Sequence, residues 1–216
     1  NMDDLVKKAR TKQPGLIVVD RAVPGKNQNY LTPENRVPEE ALPYPWESCI
    51  IAGGGWSWVP QANYKSGRDA IHLLVDIVAK GGNLLLNIAP GPDGSWHLDA
   101  YDLLAEYASW MKTNSEAIYE TRALAPYKED NVCFTQKKDG TIYAIYLAGE
   151  EETQLPASIT LKEILINNGS KVSLLGSDLP IEWKKTGSRS MIVVPHDSRD
   201  KTPCKYAWVF KIENSH

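Results

Sequence analysis

Apolar residues in the first half of the chain recur with two spacings. Ile71, Leu74, Val75 and Val78 fall on one face of a helix, and so do Leu103, Leu104, Tyr107 and Trp110. Around them lie short continuous apolar runs: Leu16-Ile17-Val18-Val19, Ser48 to Ala52, and Leu84-Leu85-Leu86-Asn87-Ile88. Runs of this kind predict parallel strands buried on both faces. Residues 2 to 13 predict a further helix, with Asp3 and Asp4 at its positive end and Lys7, Lys8 and Arg10 toward its other end. Pro14-Gly15 stops it. Ser66-Gly67-Arg68-Asp69 reads as a capping box with Asp in place of Glu, and Gly81-Gly82 closes the helix it opens. The proline-rich stretch from 22 to 45 has little periodicity and predicts a long loop, a feature usually tied to function.

The pattern changes near residue 122. Short runs of alternating or β-branched residues follow at 132–135, 141–146, 158–161, 171–175, 181–183, 190–194 and 207–212. Asp139-Gly140 marks a hairpin between the first two, and Asn168-Gly169-Ser170, formally a glycosylation sequon, reads as a turn. The expected architecture is therefore α/β followed by all-β. Residues 1–122 would form part of a (β/α) barrel, and residues 123–216 an antiparallel sandwich. In a barrel the chemistry sits at the C-terminal ends of the strands. Asp20-Arg21, the loop after Ile51, and Asn87 occupy those ends.

Composition narrows the functions. A net charge of -3 with scattered Lys and Arg leaves no footprint for nucleic acid. No apolar run reaches membrane-spanning length. The three cysteines, Cys49, Cys133 and Cys204, lack the spacing of a zinc site, and Cys49 reads as a small buried hydrophobe. No metal or cofactor is implied. The seven tryptophans stand against two phenylalanines. Trp46, Trp56, Trp58 and Trp96 fall at or near predicted strand ends and loops, where indoles suit stacking on the apolar face of a sugar or plugging the mouth of a core.

Several stretches together carry a family resemblance: Val19-Asp20-Arg21, Thr32-Pro33-Glu34, Pro45-Trp46-Glu47, Lys80-Gly81-Gly82-Asn83-Leu84-Leu85-Leu86-Asn87-Ile88-Ala89-Pro90, Pro92-Asp93-Gly94, and Glu116-Ala117-Ile118-Tyr119-Glu120-Thr121-Arg122. Cys133-Phe134-Thr135 and Leu174-Leu175-Gly176 continue it. In this order they resemble the retaining α-L-fucosidases, barrel enzymes with a C-terminal sandwich. The resemblance implies a retaining glycosidase that removes terminal fucose from fucosylated glycans, secreted or periplasmic. It also implies that the attacking carboxylate and the fucose-holding histidines lie upstream, in an N-terminal half of the same enzyme.

Carried over residue by residue, the resemblance makes Glu34 the acid/base, with Tyr30 or Trp46 able to desolvate its carboxyl. Arg21 matches an arginine near the nucleophile, Trp56 an aromatic on the C5 methyl of fucose, and Trp46 a further substrate contact. Glu47 and Asp20 are expected behind them, holding Arg21 or a loop amide. Competing readings are a non-catalytic carbohydrate-binding or scaffold fragment, and a barrel glycosidase for another sugar.

Overall fold

The helical spacing of Ile71, Leu74 and Val75 places all three in the core of α2 (Gly67–Ala79), whose N-cap Ser66 accepts from the Asp69 amide. The computed structural model describes residues 1–21 and 25–214. Ahead of α2 lie α1 (Met2–Lys12) and β1 (Trp46–Ile51); after it come β2 (Gly82–Asn87) and α3 (Leu98–Asn114). β1 and β2 pair in parallel, Trp46 opposite Gly82 and Ile51 opposite Asn87. Side chains alternate across such strands. Trp46, Ser48 and Ile50 are buried, and Leu84 and Leu86 join the clusters under the helices. Glu47, Cys49, Ile51, Asn83, Leu85 and Asn87 therefore share the opposite face.

That opposite face corrects the expectation of strands buried on both sides, because Leu85 is 43% exposed. Leu16–Val19 departs further. It forms no strand, and Ile17 is 67% exposed. Its ladder is one bridge, Val19 to Tyr30, and the Val18 amide is taken by the Asn29 side chain at 2.9 Å. β-branched residues favour extended backbone, but a strand needs partner backbone on its flanks. The predicted loop is more ordered than its prolines suggest, though residues 22–24 of it lie outside the described residues. Residues 31–35 run parallel to β1, with bridges Leu31–Trp46 and Glu34–Cys49. Pro33, which has no amide proton, interrupts this ladder.

Beyond α3 the strands are β3 (Thr121–Glu129), β4 (Val132–Lys137), β5 (Ile142–Leu147), β6 (Ser158–Leu161), β7 (Lys171–Leu174), β8 (Glu182–Thr186), β9 (Arg189–Val193) and β10 (Ala207–Glu213). They form two antiparallel sheets, ordered β3-β4-β5-β10-β7 and β6-β9-β8. Phe134, Leu161, Leu174, Ile192, Trp208 and Phe210 fill the core between them. The outer face of the larger sheet is also covered: Cys133, Tyr143, Ile145 and Val209 meet Ile71, Val75 and Trp110. Burial on both faces explains why β5 and β10 read as nearly continuous apolar runs. β3 went unpredicted, because Pro126 lies where its register shifts, between Ala123 and Lys128. An edge strand tolerates such a break.

Polar contacts fix the helices to the sheet. Trp110 Nε1 donates to the Ala207 carbonyl at 2.9 Å, and the Arg68 guanidinium donates to the Ala148 carbonyl. Burial holds His72 below the usual imidazole range, so its neutral ring donates through Nε2 to the Tyr206 carbonyl at 2.8 Å.

The buried Glu129 carboxylate, at the end of β3, accepts the backbone amides of Lys162, Glu163 and Ile164 and so ties the two sheets together. Glu129→Gln turns an NH2 group toward donors. With about 1–3 kcal/mol for each orphaned amide, we expect a loss of roughly 2–4 kcal/mol in a denaturant melt. A change below about 0.5 kcal/mol would show the clamp to be dispensable.

Candidate active site

Glu34 is placed by its pairing with β1. Its bridge partner is Cys49, whose neighbours Ser48 and Ile50 are turned into the core. Alternation therefore puts Glu34 on the open face, with Cys49 and Asn87. Leu31, bridged to Trp46, packs the other way, against Ile50 and Ile77. Asn35 holds the turn after Glu34 at a positive φ of 50°: its amide donates to the Cys49 carbonyl at 2.8 Å, and its side chain accepts from the Ile51 amide.

Arg21 reaches the same place. Its Nη1 pairs with the Glu34 carboxylate, and its Nε donates to Thr32 Oγ1 at 3.2 Å. Thr32 is fixed in turn by Asp20, whose Oδ1 accepts from the Thr32 amide at 2.9 Å and its hydroxyl at 2.7 Å. A relay results, from Asp20 through Thr32 and Arg21 to Glu34. The two ends of the ion pair are 44% and 48% exposed, so it contributes under about 1 kcal/mol and can open cheaply. A cleft of about 410 Å³ adjoins them, lined by Asp20, Thr32, Glu34, Arg36 and Leu42. Desolvation pushes the Cys49 thiol up, opposed by Arg21 and reinforced by Glu47 and Glu34. Cys49 is thus half-buried among charges on the open face, not a core hydrophobe.

Trp56, 44% exposed, stands on the loop after β1, and its carbonyl accepts from Asn87 Nδ2 at 3.3 Å. Gly54 enters that loop at φ +71°, where an added Cβ would sit 2.8 Å from Val59. Trp46 is different. It is 1% exposed, it donates to the Lys80 carbonyl, and its ring lies against Gly82. It is a core residue at the N-terminal end of β1, which corrects its expected sugar contact and its expected desolvation of Glu34. Glu47 stands at that same end of β1, whereas Arg21 bonds Thr32 and Glu34. Asp20 holds the Thr32 amide rather than Arg21 itself. Thr32 was missed by sequence reasoning, although its position two residues before Glu34 puts both side chains on one face.

Among the described residues, no group of three or more His, Cys, Asp or Glu side chains is arranged to hold a metal, and no helix is long and apolar enough to cross a membrane. A second cavity, about 780 Å³, lies at the other end of the parallel strands, beside Tyr44, Gly82 and Arg122.

Solved structures share this fold. An α-L-fucosidase isoenzyme 1 from Paenibacillus thiaminolyticus superimposes with a TM-score of 0.81 at 24% identity, covering 99% of this chain and 53% of its own. The Thermotoga maritima α-fucosidase solved with fucose has a TM-score of 0.75 at 24% identity, covering 94% and 46%. By fold the chain is a parallel α/β layer followed by an antiparallel sandwich, the architecture of those structures. It belongs to the α-L-fucosidase family, whose profile matches residues 1–116, followed by the α-L-fucosidase C-terminal domain at 126–213. A human plasma α-L-fucosidase is 32% identical over 186 residues, or 82% of this chain and 39% of the relative's length. The chain thus spans about two fifths of that relative.

Proposed function

We propose that the chain is the C-terminal part of a retaining α-L-fucosidase acting on terminal fucose of glycans. Residues 1–122 would complete a (β/α) barrel with an N-terminal portion of the same enzyme, and residues 123–216 would form a sandwich that braces it. The observation that carries this reading is the pairing of Glu34 with Arg21 on the open strand face, within a chain of this family. The bare face around Leu85 and Ile17 suits coverage by the rest of the barrel, since proteins rarely leave strand edges open. Relatives named for plasma favour a secreted enzyme.

Retaining glycosidases place two carboxyl groups about 5–5.5 Å apart across the scissile bond. Glu34 is the acid/base: it protonates the leaving oxygen, then takes a proton from the water that opens the fucosyl-enzyme. The family resemblance puts the attacking carboxylate in the N-terminal portion, and within this chain Asp20 is engaged with Thr32. Arg21, loosely held by Glu34, bridges to that second carboxylate and keeps it ionised. Trp56 offers an apolar wall to the C5 methyl, worth roughly 1–3 kcal/mol of preference over sugars lacking it.

The test uses the complete enzyme and a panel of aryl α-L-fucosides, galactosides and xylosides, with the first-formed sugar anomer read by proton NMR. Fucoside preference with α-fucose appearing first is expected. Inverted product, or a galactoside preferred, would defeat the proposal.

A further inference from the structure

The loops after β1 and β2 carry more aromatic surface than one fucose ring uses. Trp58 lies flat on the His97 imidazole, with centroids 5.3 Å apart and planes within 3°. His97 Nε2 donates to the Val59 carbonyl at 2.9 Å, so the stack fastens one loop to the other. The turn ahead of it is also rigid. Gly91 donates to the Ser95 carbonyl at 2.7 Å, and Ser95 bonds Asp93 through both amide and hydroxyl, holding that carboxyl below its usual range. This scaffold presents Trp96 outward beside Tyr101 of α3, rings 5.5 Å apart and tilted by 45°. The two are 37% and 50% exposed, whereas Trp46, Trp110 and Trp208 are all at 2% or less.

We infer that Trp96 and Tyr101 form a platform for the neutral sugar to which the fucose is attached, the group that departs with the proton of Glu34. This rests on the fucosidase reading. Three features select that occupant. The platform shares its loops with the proposed fucose wall, since Trp56 is tied to Asn87 at the end of β2 and Trp58 stacks on His97, the neighbour of Trp96. Two rings match one or two pyranoses, far less than the roughly 1,000 Å² of a specific protein interface. The chain on either side of the two rings is acidic: Asp93, Asp99 and Asp102 lie within the stretch from Gly81 to Met111, which contains no Lys or Arg. Sialylated or sulfated acceptors are therefore disfavoured. Because the rings are ordered beforehand, stacking costs little rotamer entropy.

The experiment compares kcat/KM on 2′-fucosyllactose with kcat/KM on fucosyl fluoride, which has no acceptor sugar, in the complete enzyme. Trp96→Ala is expected to lower the ratio roughly tenfold, the scale of a lost apolar contact, and Trp96→Phe to restore most of it. A sialylated fucosyl-oligosaccharide is expected to be a poorer substrate, improving as salt screens the carboxylates. A ratio unchanged within about twofold overturns the inference, as does an equal loss on both substrates or a lower melting temperature with the ratio intact. If the enzyme cleaves neither fucoside, the fucosidase reading falls. The platform is then judged by lactose titration: fluorescence quenching abolished by Trp96→Ala supports it, and no quenching ends it.

Discussion

Glu34→Gln in the complete enzyme is expected to lower kcat on fucosides with poor leaving groups by roughly 10²–10⁴-fold, the usual contribution of a positioned general acid. The geometry makes this a clean test. Glu34 is half exposed and its ion pair with Arg21 is a surface pair, so losing the charge costs under about 1 kcal/mol of stability. Gln preserves the shape and still accepts from Arg21. Fucosyl fluoride needs no proton for departure and should form the fucosyl-enzyme at a near-normal rate. Azide should rescue turnover of that intermediate, because it attacks the anomeric carbon without giving up a proton. The product would be fucosyl azide of retained configuration. Full activity without azide would remove Glu34 from the acid/base role. Loss of activity on every substrate with no rescue would do the same.

Local chemistry was legible wherever it decides the outcome. The Ser66 cap, the Gly81 stop and the Asp139-Gly140 hairpin depend on a few adjacent residues, and each forms as read. Strands between two covering layers were legible because continuous apolar runs are what double burial requires, as in β5 and β10. Illegible features were those set by neighbours distant in sequence. Leu16–Val19 has the residues of a strand, yet its backbone is met by one bridge and an asparagine side chain. β3 hides behind Pro126 because an edge position forgives what an inner strand would not. Glu34 drew attention through family resemblance. What the residues themselves offered was alternation: Thr32 and Glu34 share a face, and Asp20 and Arg21 meet them from across the chain. The roles of Trp46 and Trp56 could not be separated by residue type, since an indole serves equally as core and as sugar platform.

That last ambiguity yields a second large effect. Trp46→Ala should destabilise the protein by about 3–5 kcal/mol, the range for emptying a large buried aromatic site. Its ring packs with Ile50 and Ile77 and with Leu31, the residue that begins the segment delivering Glu34. The corresponding fall in melting temperature is roughly 10 °C for a chain of this size. Gly82→Ala probes the same contact from the other side. The new Cβ would lie 2.4 Å from the indole, which is too deeply buried and too firmly bonded to Lys80 to move aside. Overpacking of that kind costs about 1–3 kcal/mol. Trp56→Ala, at an exposed position, should leave the melting temperature within about 2 °C. It should instead weaken the preference for fucoside over galactoside. Were Trp46→Ala to keep its stability and raise KM selectively, the indole would be a sugar contact after all. A core role demands the reverse: KM unchanged at temperatures where the variant is still folded, and early melting.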